Sequence, residues 1–384
     1  MKFFRYVWKC FGRIYFTVLY EFFRITTKVD GKKVLFISDV REQLDGNLAY
    51  VWDYLDDNAY VKSTYLKADR RDRSSVRGFN QMVRDFATSK YILLEDYFRY
   101  TSYVRLRKGQ EICQLWHACG AYKKFGYSRA EGNEHIKIHK GYRKYTKVIT
   151  SSEDIRVNYA EAFGLALDKV QAKGIPRTDL FFDEKLKQEK RECIYQKYPM
   201  LRKKKVILFA PTYRGKRAED AWYDFERIDY KKMYEQFHEE YIWVFKWHPA
   251  LYNNLKRNDV FSNHIEPYKD FYFDLSKERE INELLLVANV LITDYSSIIF
   301  EFSLLNKPII YFTYDIDKYK NGRGLYYSFD TYVYGAVTEN ADELIKAIQR
   351  QELKPDLREA FHQRFMSACQ GNSTEVVCRW IFEE

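Results

Sequence analysis

The chain has 384 residues, of which 46% are hydrophobic, and a formal net charge of +10. This length exceeds one compact core of the commonest size, so we expect two domains, and the apolar content excludes a largely disordered chain. The positive charge favours an anionic partner such as a membrane surface, a nucleic acid or a phosphorylated substrate.

The N-terminal segment, 1–30, is rich in aromatic residues, and cations recur every three or four residues from Lys2 to Arg13. That spacing places the cations along one side of a helix. The longest charge-free run, 14–20, is far shorter than the roughly 20 residues that span a bilayer. We predict an amphipathic helix on an anionic membrane surface; the alternative is a helix docked on the protein's own core.

Short β-branched runs then alternate with charged amphipathic segments, which is typical of parallel strands with helical crossovers. The predicted strands form two series: 32–38, 90–96, 111–117, 147–152 and 169–174, then 204–213, 241–249, 289–296 and 307–315. Two such series predict an α/β chain of two Rossmann-like, doubly wound domains facing a central cleft. The predicted limits are 1–30 for the membrane helix, 31–190 and 191–360 for the two domains, and 361–384 for closing helices.

Ligands of open α/β sheets collect at the carboxyl ends of the strands. Five polar clusters lie at such ends: His117; Arg177 in "GIPRTD"; Thr212 and Arg214 in "APTYRG"; Lys246 and His248 in "KWHP"; and Ser296 with Ser297 in "TDYSSIIFE". The serine pair begins an apolar helix whose first amides and hydroxyls suit a phosphate, although serine is also an ordinary N-cap. Five clusters together indicate a site.

His117 precedes Ala118, Cys119 and Gly120, small residues that leave room for a ligand, although a single histidine after a strand is often structural. The remaining histidines, 135, 139, 238, 264 and 362, are interpreted as surface residues. The six cysteines lack metal-like spacing and are predicted to be reduced.

No metal or other cofactor is predicted. His135 and His139 have helical spacing without an HExxH pattern, and the DxD pattern at Asp315 and Asp317 lies in a turn-like stretch where a ribose contact is favoured over Mg²⁺. P-loop, GxGxxG and GxSxG patterns are absent from the sequence, which counts against NTPases, dinucleotide enzymes and α/β-hydrolases.

The motifs "QLWHACGAYKKFG", "GIPRTD", "ILFAPTYRG", "KWHP", "LLLVANVLITDYSSIIFEFSLLNKPIIYF" and "RGLYYSFD" resemble those of the CDP-glycerol glycerophosphotransferase family, in family order over roughly 90–335. The resemblance implies a GT-B fold, an acceptor domain followed by a CDP-alditol-binding domain, and a peripheral position on the cytoplasmic membrane face. It implies transfer of glycerol phosphate or ribitol phosphate from CDP-glycerol or CDP-ribitol to a hydroxyl of an undecaprenyl-linked glycan or polyol-phosphate acceptor, in teichoic acid synthesis.

The resemblance also implies site residues. The catalytic ones are His117 and His248, and the donor-binding ones are Trp116, Ala118, Cys119, Gly120, Arg177, Pro211, Thr212, Arg214, Lys246, Trp247, Ser296, Ser297 and Glu301. Many members have His-Gly-Thr-Pro where this chain has 117–120, so the surroundings of the attacking hydroxyl differ.

His117 is the predicted general base, because an alcohol must lose its proton as it attacks phosphorus. Arg177, Arg214, Lys246, His248 and the amides at the serine pair are expected to neutralise the phosphates, and Glu301 to meet the ribose. The alternative function is a GT-B glycosyltransferase that uses a nucleotide sugar. A nucleic-acid-binding role is not favoured, because the cations are scattered and no RRM, KH or HTH pattern is present in the sequence.

Overall fold

The computed structural model describes residues 2–66, 76–129, 139–215, 218–255, 260–317, 319 and 324–383. The side chains of 1–10 lie outside that description, and so does His135. The described residues form two compact units, 1–179 together with 365–384, and 180–364.

The first unit contains a six-stranded parallel sheet with the strand order β2-β1-β3-β4-β5-β6. Its strands are β1 (Asp30–Ile37), β2 (Val61–Tyr65), β3 (Ser89–Leu94), β4 (Glu111–Gln114), β5 (Lys147–Ile149) and β6 (Val170–Gln171). Its helices are α1 (Lys2–Thr26), α2 (Gly46–Tyr54), α3 (Val76–Thr88), α4 (Arg156–Phe163) and, near the C-terminus, α13 (Ser373–Phe382). The central strands are almost fully buried, as their continuous apolar runs require.

The second unit contains another six-stranded parallel sheet, in the order β12-β11-β10-β7-β8-β9. Its strands are β7 (Lys205–Phe209), β8 (Tyr241–Phe245), β9 (Tyr272–Asp274), β10 (Val290–Thr293), β11 (Ile309–Phe312) and β12 (Ala336–Thr338). Its helices are α5 (Glu184–Lys197), α6 (Tyr230–Phe237), α7 (Pro249–Leu255), α8 (Val260–Ile265), α9 (Ile281–Val287), α10 (Ile298–Phe302), α11 (Ala341–Arg350) and α12 (Pro355–Phe365). Read from β9, this is the 3-2-1-4-5-6 order of a Rossmann sheet.

The two parallel sheets confirm the predicted α/β class, but three strands were missed. These are β2, β9 and β12, all short and all at or next to a sheet edge. Short edge strands carry little continuous apolar sequence, so the hydrophobic pattern does not reveal them.

The units differ from the predicted domain limits at both ends of the second domain. Helix α5 packs in the second unit, where Lys190 pairs with Glu283. Helix α13 belongs to the first unit, because Asp179 accepts hydrogen bonds from the backbone N–H groups of Ser373 and Thr374. Both C-terminal helices were predicted as helices, and α12 and α13 confirm this.

One face of α1 docks on the first unit, as the alternative interpretation expected. Phe16 is fully buried and stacks on Tyr100, with ring centroids 4.4 Å apart, and the Tyr20 hydroxyl donates to the Arg105 carbonyl at 2.8 Å. The outer face leaves five large apolar side chains 55–75% exposed: Phe11, Ile14, Val18, Phe22 and Ile25. We call these five residues the α1 stripe. Among the described residues, no helix combines the length and apolar content that crossing a bilayer requires.

Candidate active site

The strand order of the first sheet reverses between β1 and β3, so the loops after these strands diverge and leave a crevice at their carboxyl ends. Ser38 follows β1, and Glu95 and Asp96 follow β3. His117 lies after β4, the next strand in the sheet. The topology therefore brings one hydroxyl, two carboxylates and one imidazole to the same edge.

His117 is oriented by this edge. Its Nδ1 lies 2.9 Å from Asp96 Oδ1 and 3.2 Å from the Glu95 carbonyl oxygen. Both partners can only accept a hydrogen bond, so Nδ1 carries the proton in the neutral ring and Nε2 is the unprotonated nitrogen. The His117 side chain is 47% exposed, so Nε2 is placed to accept a proton from a bound molecule.

Asp96 is held as a carboxylate. Burial by itself would raise the pKa of the Asp96 carboxyl, but the His117 hydrogen bond and charge, the Ser38 hydroxyl and the Arg41 charge together hold it below its ordinary value. Ser38 Oγ donates to Asp96 Oδ2 at 3.0 Å. A lowered pKa means that the stabilisation from Asp96 is present at neutral pH and is lost as the pH falls through that pKa.

The residues around His117 differ in their exposure to solvent. Ala118 is partly exposed, whereas Cys119 and Gly120 are buried, and Gly120 N–H donates to Ser151 Oγ at 3.0 Å. Trp116 and Arg177 are each 9% exposed.

In the second unit the sheet order reverses between β7 and β10, and Asp294 lies at that point with no exposed surface. Its Oδ1 accepts hydrogen bonds from Thr212 N at 2.7 Å and Thr212 Oγ1 at 2.9 Å. Pro211 is also buried. Asp294 thus fixes the loop after β7 against the loop after β10.

Arg214 is a buried ion-pair centre. Its Nη1 lies 2.8 Å from Asp294 Oδ2, and its Nε lies 2.6 Å from Asp315 Oδ2. Burial by itself would lower the pKa of the guanidinium, but Asp294 and Asp315 raise it above its ordinary value. Arg214 is 6% exposed and connects the ends of three strands through these carboxylates. Asp315, the first aspartate of the DxD pattern, therefore pairs with Arg214.

Arg214→Met is expected to destabilise the second unit by about 3–5 kcal/mol, because it leaves Asp294 and Asp315 buried without their cation. Urea unfolding followed by circular dichroism measures this. Arg227→Met, which breaks the exposed Arg227–Asp224 pair, is the control and should cost less than about 1 kcal/mol. Equal losses in the two variants would contradict the assigned role.

The cluster after β8 contains three different environments. Lys246 is 8% exposed, and its Nζ lies 3.5 Å from the Ser276 carbonyl oxygen. Burial lowers the pKa of Lys246, opposed by Asp274, Glu278 and Glu280. Trp247 is fully buried in the aromatic core of this unit, stacked on Phe245.

His248 is exposed, and its ring lies 4.7 Å from that of Tyr213 in the loop after β7. Its Nδ1 accepts the Ala250 N–H at 3.1 Å. In the neutral ring the proton is therefore on Nε2, which can donate to an anion. His248 and His117 have opposite tautomers, one suited to donate a hydrogen bond and the other to accept a proton.

The helix that follows the serine pair, α10, has only five residues. Ser296 and Ser297 are partly exposed, and Ser297 occupies the N-cap position without a side-chain capping bond. Glu301 is 3% exposed on the same helix.

The described residues contain no group of three or more His, Cys, Asp and Glu side chains arranged to hold a metal ion. His139 stacks on Tyr97 with ring centroids 3.9 Å apart. This histidine and His238, His264 and His362 are each partly exposed. The five cysteines with described side chains are free: Cys113, Cys119, Cys193, Cys369 and Cys378.

Two carboxylates of the candidate site were missed from the sequence. Asp96 ends the predicted strand "KYILLED", and Asp294 stands in the quoted "TDYSS". Each is an acid at the end of a strand that borders a reversal of strand order, which was the available signal. The pattern identified the strands but not which of them were neighbours.

The sequence model described as CDP-glycerol:poly(glycerophosphate) glycerophosphotransferase matches residues 18–383. The chain is 42% identical over 377 residues to a teichoic acid poly(ribitol-phosphate) polymerase of Bacillus spizizenii, covering 96% of this chain but only 59% of that protein. A teichoic acid ribitol-phosphate primase of the same species is 30% identical, with 95% of each chain covered.

Solved structures show the same fold. The wall teichoic acid polymerase TagF superposes with a TM-score of 0.74 at 20% identity, covering 99% of this chain and 97% of that chain. A UDP-GlcNAc 2-epimerase from Neisseria meningitidis, 13% identical, gives a TM-score of 0.56 over 92% of this chain and 100% of that chain.

Proposed function

Because this chain belongs to the CDP-glycerol:poly(glycerophosphate) glycerophosphotransferase family, we propose that it transfers an alditol phosphate from a CDP-alditol to an acceptor hydroxyl. The observation that supports the proposal most directly is the Asp96–His117 pair, which presents an unprotonated Nε2 beside a crevice. An imidazole in that state is a general base for an alcohol.

The proposed reaction forms one phosphorus–oxygen bond and breaks another. The acceptor oxygen forms a bond to the phosphorus that bears the alditol, and the bond from that phosphorus to the oxygen of CMP breaks. The acceptor proton passes to His117 Nε2, and Asp96 stabilises the imidazolium that results. CMP leaves with the bonding electrons and an added negative charge.

The donor-binding groups are proposed in the second unit. We assign donor binding to His248 through Nε2–H, to the buried Lys246 cation, and to the hydroxyls of Ser296 and Ser297. In this proposal Arg214 does not contact the donor, because its guanidinium N–H groups already pair with two carboxylates. It contributes to donor binding by holding the loops in place. These are electrostatic contributions, since phosphoryl transfer needs positioning more than covalent help.

His248→Ala is expected to raise the KM for the donor and lower kcat together, because an exposed hydrogen-bond donor to phosphate is lost. Steady-state kinetics with the CDP-alditol, together with calorimetric donor binding, measures both. His238→Ala, which alters a histidine at the end of α6, is the control. Unchanged donor affinity in His248→Ala would remove His248 from the donor site.

The donor alditol is testable by CMP release. Ribitol phosphate is the better expectation, because the polymerase at 42% identity and the primase at 30% identity are both named for ribitol phosphate. CDP-ribitol and CDP-glycerol should be compared with a lipid-linked glycan acceptor, in excess chelator because no metal is proposed. Release of CMP from neither donor, with sugar transfer from a UDP- or CMP-sugar instead, would support the glycosyltransferase alternative.

We also propose that the α1 stripe docks on an anionic membrane. Five exposed apolar side chains on one helix face suit the headgroup boundary, and the opposite face is fixed to the first unit by Phe16 and Tyr20. The net charge of +10 favours anionic lipid. This arrangement would hold the enzyme beside a lipid-linked acceptor.

The double variant Val18→Glu/Phe22→Glu should lower binding to phosphatidylglycerol vesicles at least about tenfold, because two apolar contacts become charged. Vesicle sedimentation measures the bound fraction. Val61→Glu is the matched control, because Val61 is 55% exposed on β2, outside the α1 stripe. Equal binding of both variants and the parent chain would exclude the stripe as the membrane contact.

A further inference from the structure

Trp116, the residue before the proposed base, has a left-handed backbone with φ of 53°. Residues other than glycine rarely adopt this conformation, because Cβ crowds the following carbonyl group. Such a conformation persists only where surrounding contacts determine it, and these positions cluster at active sites. At the end of β4 it turns the chain so that the next side chain, His117, meets Asp96.

One buried side chain fixes the peptide groups on both sides of Trp116. Asn47, which has no exposed surface, donates from Nδ2 to the Trp116 carbonyl at 2.7 Å and to the Leu115 carbonyl at 3.3 Å. Its Oδ1 accepts the Arg177 N–H at 3.1 Å. The Asn47 side chain thus uses both its amine and its carbonyl on backbone groups.

Asn47 is itself held by a hydrogen bond, and Arg177 links it to the backbone of His117. Its backbone N–H donates to Glu95 Oε1 at 2.8 Å, and Glu95, fully buried, pairs with Arg41 at 2.9 Å. Arg177, whose backbone is set by Asn47, donates from Nη1 to the His117 carbonyl at 2.7 Å. The carbonyl group before His117 and the carbonyl group of His117 itself therefore both depend on Asn47, the second one through Arg177.

We propose that Asn47 is a positioning residue that holds the left-handed turn at Trp116 and so keeps His117 Nδ1 against Asp96. The inference rests on the proposed role of His117 as the base. Asparagine fits this task because it offers a donor to two carbonyls and an acceptor to one amide, which neither aspartate nor leucine does.

Two variants test the donor and acceptor contacts of the Asn47 side chain separately. Asn47→Ala removes all three side-chain contacts, whereas Asn47→Asp keeps an acceptor for Arg177 and loses the donor to the carbonyls of Leu115 and Trp116. Both should lower kcat by about 10–100-fold with KM for the donor changed less than about threefold, because the base is displaced while the donor groups are intact.

The matched control is Gln110→Ala. Gln110 is another buried amide of this unit, and its Nε2 donates to the carbonyls of Phe86, Ala87 and Ser89 before β4 begins, at the opposite end of the strand from His117. This variant should lose stability similarly but retain kcat within about threefold.

A second readout does not require activity. In protein labelled with ¹⁵N-histidine, His117 should show a protonated Nδ1 in the parent chain and in Gln110→Ala, and a mixture of tautomers in Asn47→Ala. Folded Asn47→Ala with parental ring-nitrogen shifts and kcat equal to that of Gln110→Ala would overturn the proposal. If Asn47→Ala does not fold, Asn47→Ser is measured against the same criteria.

The same readout separates this inference from the proposed function. An active His117→Ala would remove the base role, yet the nitrogen shifts would still report whether Asn47 positions the ring. Loss of the Nδ1 proton signal in Asn47→Ala supports the positioning role in either case.

Discussion

Replacing His117 with alanine is expected to lower kcat by about 10²–10⁴-fold while donor binding stays close to that of the parent chain. The reason is that the variant lacks the Nε2 acceptor for the alcohol proton, whereas the proposed donor contacts are made by other residues. CMP release in steady state gives kcat, and calorimetry with the CDP-alditol gives donor affinity.

His248→Ala is the informative comparison for this result, because it should alter KM as well as kcat. A His117→Ala protein with near-parental turnover and parental thermal unfolding would show that another group accepts the proton. The two histidine variants therefore test separately the proton acceptor and the phosphate contact that their opposite tautomers indicate.

Replacing Asp96 with asparagine is expected to lower kcat by about 10²–10⁴-fold as well. The asparagine amide can donate to Nδ1, which would place the ring proton on Nε2 and remove the proton acceptor. Asp96→Ala should be less severe, because His117 Nδ1–H still has the Glu95 carbonyl at 3.2 Å. This order, asparagine worse than alanine, is specific to a tautomer effect.

Asp85→Asn is the control for Asp96. Asp85 is 6% exposed and pairs with Lys33 at 2.6 Å, so it is also a buried, ion-paired aspartate of the first unit. It should reduce the free energy of unfolding without reducing kcat. If Asp96→Ala were as inactive as Asp96→Asn, or if Asp85→Asn lost activity equally, a general loss of structure would explain the Asp96 result better.

Some residues that the family resemblance assigns to donor binding are buried in the structure. Trp247 and Glu301 correspond to family donor-binding positions, yet the Trp247 ring is fully buried and Glu301 is 3% exposed. Arg214 was expected on a phosphate and is instead paired with Asp294 and Asp315. A motif records which residue types recur at a position and does not distinguish contact with a ligand from support of the loop that contacts it.

Local sequence patterns were enough to predict the α/β class, the two series of strands and the residues at their ends, because continuous apolar runs and turn residues are features of short segments. His117 and His248 were identified in this way. The three edge strands were not, since strands such as β12, with three residues, are too short to give a pattern.

Which of those strand ends meet depends on how the strands are ordered in the folded sheet. Asp96 follows β3 and His117 follows β4, and they form a pair because these strands are hydrogen-bonded neighbours in parallel register. Asn47 reaches Trp116 across 69 positions of sequence. Such contacts depend on the order of strands in a sheet, which is set by burial of the whole apolar surface and not by any local stretch of sequence.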